Sequence, residues 1–234
     1  MSHRTPDGTV GITSHIVERG IDGSPCFLTD DDYLVYLDRL QEGAGRHRCR
    51  IHAYALMIDQ VHLLLSSDTE DRLARMIRCV RTRYVEYVNY VHQGNGAFRE
   101  RRRESRAIES ERSLLDHYRL IESYPVTVGM AASPAAYAWS SYNHHAHGAA
   151  NMVIRDHPAY LALGKTECER QSAYRESFRQ PLDDRLPGEI GTSIASGRAP
   201  APVRASDDVD RLATQVQPRR SARPRTASHA TAAF

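Results

Sequence analysis

The chain has 234 residues, 41% of them hydrophobic, and a formal net charge of +2. That suffices for one packed domain with extensions, and the charge balance alone is too small to imply nucleic-acid binding. No apolar run reaches membrane-span length, Met1 to Val10 lacks a secretory apolar segment, and Cys26, Cys49, Cys79 and Cys168 form no CxxC pair; a membrane protein and a zinc ribbon are excluded, and a reducing cytoplasm is expected.

Lys165 is the only lysine, so almost every cation is arginine. Arginine suits bidentate phosphate contacts and stacking on bases, and a GC-rich genome gives the same bias. His15 to Gly20 alternates and stops at glycine, as a first strand does. Thr29 followed by Asp30, Asp31 and Asp32 supplies a helix start. Tyr33, Leu34, Tyr36, Leu37 and Leu40 continue it at helical spacing, and Gly43-Ala44-Gly45 is expected to end it.

Arg50 to Leu65 reads as two short strands joined by a turn at Ile58-Asp59. Period two places Val61, Leu63 and Leu65 on one face of the second strand and Gln60, His62 and Leu64 on the other. Gln60 and His62 therefore stand side by side as candidate ligands for one divalent cation. Ser67 to Glu70 opens a second helix, running to about His92. Its buried face is Leu73, Met76, Ile77, Val80, Tyr84, Val88 and Val91. Its arginines, Arg72 to Arg83, read as a solvated side or as phosphate contacts.

Gly94-Asn95-Gly96 breaks that helix. Ala97 to Ser110 then carries Arg99, Arg101, Arg102, Arg103 and Arg106, a cationic run suited to nucleic-acid phosphates. Glu111 to about Tyr124 reads as a third helix, ended by Pro125. His144, His145 and His147 lack a further ligand at a fixed offset and read as a polar loop rather than a metal site. From about Asp183 the composition is that of a disordered tail, in which Arg219, Arg220, Arg223 and Arg225 add cations.

Strands interleaved with helices in this order predict an α+β fold, an antiparallel sheet with helices packed on one face. Expected boundaries are a main domain over 11–146, a helical C-terminal extension over 147–182 and a disordered tail over 183–234.

The words HAYALMIDQVHLLLSSD (His52 to Asp68) resemble the HAYxLMxNHVHLLVTPD signature of the REP-associated tyrosine transposases, members of the HUH superfamily of single-strand DNA nucleases. Ser133 to Tyr142 is similar to that family's xPxxYxWSSY segment, with Trp139 expected to pack a closing corner. The resemblance covers roughly His15 to Gly164. It implies a ferredoxin-like core, single-stranded or hairpin DNA as partner, DNA transposition as the task, and a homodimer like its relatives.

The resemblance also implies Mg²⁺ or Mn²⁺ held by two histidines and a helix Asn or Gln, with a tyrosine that attacks phosphorus. Two positions depart from that pattern. Gln60 stands where the first metal histidine belongs, with His62 matching the second. In Arg119-Leu120-Ile121-Glu122-Ser123-Tyr124-Pro125, similar to RYIxLNP, Leu120 occupies the nucleophile position and Tyr124 that of the Asn ligand. Leucine has no atom that can attack phosphorus. Three readings follow: a DNA-binding protein impaired in cleavage, an active transposase with Tyr124 as surrogate nucleophile, and a non-catalytic nucleic-acid-binding regulator. A decayed gene gives the same sequence pattern.

Overall fold

The computed structural model describes residues 11–20, 24–92, 101–108 and 110–180. The expected tail at 183–234 and Arg99 lie outside these residues. In chain order the elements are β1 (Ile12–Gly20), α1 (Asp30–His47), β2 (Arg50–Leu56), β3 (Gln60–Ser67), α2 (Glu70–Val91), β4 (Arg101–Ala107), α3 (Glu111–Thr127), α4 (Tyr142–His147), α5 (Pro158–Leu161) and α6 (Glu167–Ser177). The strands form one antiparallel sheet in the order β2-β3-β1-β4, so the fold is α+β. The β2–β3 turn falls at Ile58-Asp59, closed by reciprocal backbone bonds between Met57 and Gln60 at 2.7 and 3.3 Å.

Alternation along β3 sorts its side chains as period two requires. Val61, Leu63 and Leu65 join Ile16, Tyr36, Leu40, Met76, Ile77, Val80 and Tyr84 in the main core, beneath α1 and α2. Those two helices are the layer expected on one face. The opposite face is covered as well: Leu64, with Ala53 and Ala55 of β2, packs against Leu114, Tyr118 and Ile121 of α3. Small residues at Ala53 and Ala55 let that helix lie close to the sheet. Tyr142, Tyr160 and Tyr174 complete this second cluster, so the C-terminal helices pack into it. Trp139 does close a corner: its ring stacks on Tyr33 at 4.5 Å, and its carbonyl accepts from Leu56 N at 2.9 Å.

Two helix ends differ from expectation. Helix α1 runs through Gly43 and Gly45 and stops at Arg48, whose φ of 54° is left-handed and whose N–H bonds the carbonyls of Ala44 and Gly45. Gly43 is buried for packing, not for termination. A Cβ there would stand 2.8 Å from Val80 Cγ2 of α2, whereas one at exposed Gly45 would meet nothing within 4 Å. Gly43→Leu is therefore expected to destabilise by about 1–3 kcal/mol through overpacking. Gly45→Ala should stabilise by roughly 0.5–1 kcal/mol, the helix-propensity difference. Urea unfolding of the two variants checks both signs.

Helix α3 continues past Pro125 to Thr127. A proline in the last turn loses only its own N–H bond, and Val128 N still bonds Tyr124 O at 3.0 Å. Gly129, at φ +76°, makes the actual exit.

Candidate functional site

The α3-facing row of the sheet contains more than Gln60 and His62. Across the β1–β3 ladder Arg19 pairs with Gln60, Val17 with His62 and His15 with Leu64. Paired residues share a face, so His15 and Arg19 join the two expected residues. His15 Nε2 lies 3.1 Å from His62 Nδ1. His62 Nε2 lies 3.4 Å from Gln60 Oε1, which also accepts from Arg19 Nε at 3.1 Å. The ring of His117, from α3, sits edge-on to His15 at 5.5 Å.

These contacts fix the protonation pattern. Gln60 Oε1 can only accept, so His62 carries its proton on Nε2 and accepts at Nδ1 from His15 Nε2–H. Burial, then the Arg19 cation, lowers the His62 pKa to about 3. Burial, then His62 and His117, holds His15 well below the usual histidine range. Both rings are thus neutral, and both nitrogens of His62 are engaged.

That donor set does not fit a divalent cation. The lone pair of His62 accepts a hydrogen bond, and the amide oxygen of Gln60 is already held by a guanidinium. His62 is fully buried, and the neighbouring Arg19 contributes a positive charge where an added cation would need a negative one.

Helix α3 lies over this row. The Tyr124 ring packs on the His62 ring at 4.6 Å, tilted by 33°. Tyr124 is 4% exposed and shares a cluster with Met57 and Tyr137. Burial raises its pKa, against the pull of Gln60 and Arg19, and its hydroxyl makes no hydrogen bond of good geometry among the described residues. Leu120, one turn earlier, is also buried. Tyr118 points elsewhere, into the second apolar cluster, edge-on to His145 at 5.0 Å. The structure therefore brings Gln60, His62 and Tyr124 together and sets Tyr118 apart from them.

The arginine run falls mostly on β4, the last strand of the described sheet. The register places Arg101 opposite Gly20, Arg102 opposite Arg19, Arg103 opposite Glu18 and Arg106 opposite His15. Arg102 and Arg106 thus hold positions on the face of Gln60 and His62, and Arg106 is exposed. The α2 arginines are committed differently. Arg72 pairs with Asp68, Arg75 with Asp71 at 2.9 Å and Arg83 with Glu42. Those three are engaged in ion pairs with α2 itself, the segment before it and α1.

No protein-family model and no curated protein matches the chain. Solved structures do. A REP-associated tyrosine transposase bound to a REP hairpin is 14% identical, with a TM-score of 0.46 over 68% of this chain and 96% of that one. A provisionally assigned transposase from Deinococcus radiodurans R1 is 16% identical, with a TM-score of 0.35 over 50% and 94%. The de novo designed protein Foldit4 is 12% identical, with a TM-score of 0.26 over 43% and 98%. The scores are low and a designed protein stands beside the two transposases, so these likenesses do not select a function.

One polar centre escaped the sequence reading. Glu122 of α3 is fully buried. Its Oε1 accepts from Ser141 Oγ at 2.5 Å and lies 2.8 Å from His145 Nδ1, and its Oε2 accepts from the Tyr174 hydroxyl at 2.6 Å. Ser141 Oγ in turn accepts from Tyr54 N at 2.9 Å. A single carboxylate thus ties α3, α4, α6 and β2 together. The available signal was its spacing: Tyr118, Ile121 and Glu122 fall at one helical face, with the acid among apolar residues.

Proposed function

We propose that this chain is a transposase-like nucleic-acid-binding protein that grips single-stranded or hairpin DNA through its arginine-rich edge strand and does not cut it at Gln60, His62 and Tyr124. The observation that carries the reading is a combination. Arg101, Arg102, Arg103 and Arg106 gather on one edge strand beside Arg19, while the neighbouring ligand positions are satisfied internally. The scaffold words shared with the REP-associated tyrosine transposases supply the DNA class. Cationic edge residues would track phosphates, and the neutral buried row behind them would hold β1 and β3 in register.

Salt dependence tests the grip. Four phosphates neutralised on a single strand give a slope of about −3 in log K against log salt, or roughly 50-fold weaker binding for a fourfold rise in salt. Fluorescence anisotropy on labelled hairpin and single-stranded DNA measures it. Replacing Arg101, Arg102, Arg103 and Arg106 together by Gln should flatten the slope to near zero while the circular dichroism stays unchanged. An unaltered slope in that variant would place the contacts elsewhere.

The runner-up is cleavage with Tyr124 as nucleophile, favoured by its ring lying directly over His62. Against it stand its burial and its raised pKa, since a phenol must reach phosphorus within about 1 Å of productive geometry. Incubating the protein with labelled hairpin DNA and Mg²⁺ or Mn²⁺, then denaturing, should reveal no protein-linked label. A covalent adduct that disappears in Tyr124→Phe establishes the runner-up instead.

A further inference from the structure

A second cluster lies apart from the Gln60–His62 row, where α4 meets the loop before α5. His144, His145 and Asp156 each offer one ligand atom there, all within 4.8 Å of one another. We propose that His144 Nε2, His145 Nε2 and a carboxylate oxygen of Asp156 form a site for one divalent transition-metal ion of the zinc class.

The strongest observation is His145. Its side chain is fully buried, and its Nε2 has no hydrogen-bond partner among the described residues. Its Nδ1 faces the carboxylate of Glu122 at 2.8 Å. Glu122 already accepts from two hydroxyls, so Nδ1 carries the proton and Nε2 presents a bare lone pair. Asp156 Oδ1 lies 3.9 Å from that nitrogen. A buried imidazole held by a carboxylate on one nitrogen, with the other nitrogen open, is how metal-binding histidines are commonly oriented.

His144 is arranged the same way. Its Nδ1 donates to the carbonyl of Ala149 at 2.9 Å, which leaves Nε2 directed at Asp156 Oδ1, 3.2 Å away. An ion would take the place of the proton now between them. Ligand atoms around a tetrahedral ion with bonds of about 2.0–2.2 Å lie roughly 3.3 Å apart. The present separations are therefore near what is needed, and half-exposed His144 can close the widest of them. Two imidazoles and one carboxylate match zinc and its neighbours better than Mg²⁺, which prefers oxygen.

Asp156 also lines a cleft of about 210 Å³ together with Arg48, Arg50, His52, Ser66 and His157, which leaves that ligand reachable from solvent. The ion would join α4 to the segment leading into α5 and, through Glu122, to α3. The sequence alone could not assemble this set, since Asp156 lies in a separate loop and the buried Glu122 behind His145 is invisible without the fold.

Titration calorimetry of the full-length, metal-free protein with Zn²⁺ tests the site, with Co²⁺ absorption as a second readout. One equivalent should bind and raise the melting temperature, and Co²⁺ should give the visible spectrum of a low-coordinate nitrogen–oxygen site. His144→Gln and Asp156→Asn, both at solvent-reachable positions, should each weaken binding at least tenfold while lowering the metal-free melting temperature only slightly, through loss of the contact between them. His62→Gln should leave binding intact, which separates this site from the sheet row. No saturable binding, or binding unchanged in the His144 and Asp156 variants, overturns the proposal.

Discussion

Glu122→Ala is expected to cost about 3–5 kcal/mol of folding stability, the range seen when one partner of a buried charged cluster is deleted. The variant would strand the Tyr174 hydroxyl and His145 Nδ1–H in the interior and leave the Ser141 hydroxyl only the Tyr54 carbonyl as acceptor, at 3.3 Å. A cavity where the carboxyl stood adds to the loss. Since single domains are stable by only about 5–15 kcal/mol, a large part of the margin would go. Tyr174→Phe removes one donor and leaves the acceptor with two others, so its cost should be smaller, about 1 kcal/mol. Urea midpoints for the two variants measure the difference. Equal effects would mean that the carboxylate is not the hub of this cluster.

Acid should weaken the fold well before its carboxylates protonate. Burial lowers His52 to about 3, and its nitrogens face the Arg155 carbonyl at 2.6 Å and Ser66 Oγ at 2.7 Å. The His15–His62 pair is likewise kept neutral by burial and mutual contact. Unfolded histidines protonate near 6.5. Below that pH the unfolded chain therefore binds more protons than the native one, and stability drops as pH falls from 6.5 towards about 3. Each neutral histidine contributes a slope of up to ~1.4 kcal/mol per pH unit. His144 runs the other way: burial alone would lower it, but its Asp156 and Ala149 hydrogen bonds raise it, so its contribution changes above 6.5, outside the acid window. Urea unfolding at several pH values between 7 and 4.5 should show the decline. His62→Gln should make it shallower, and a flat profile in the wild-type protein would contradict neutral buried rings.

How far the fold was legible depended on distance along the chain. The β2–β3 hairpin, its turn and the sorting of Val61, Leu63 and Leu65 from Gln60, His62 and Leu64 follow from strand periodicity, a local property. The N-cap Thr69 is local as well. Gly43 misled because glycine serves both termination and close helix packing, and only the presence of Val80 decides between them. Pro125 misled because its cost depends on how many helical bonds follow it.

The site was legible in part for the same reason. Gln60, His62 and Tyr124 meet as the resemblance implies. What those residues can do is set by His15 and Arg19, which arrive from another strand through a register the sequence does not announce. Their alternation with Ile16 along β1, which faces the main core, was the available clue. The layer on the second face was equally hidden, since α3 and the two alanines under it are far apart in sequence.

The arginine edge has a bearing on self-association. Strand β4 closes the described sheet on one side, and a second copy adding its own β4 in antiparallel fashion would bring a second arginine-rich strand against the first. Like charges facing one another in that way are repulsive. The homodimer expected from the resemblance would be disfavoured along this strand.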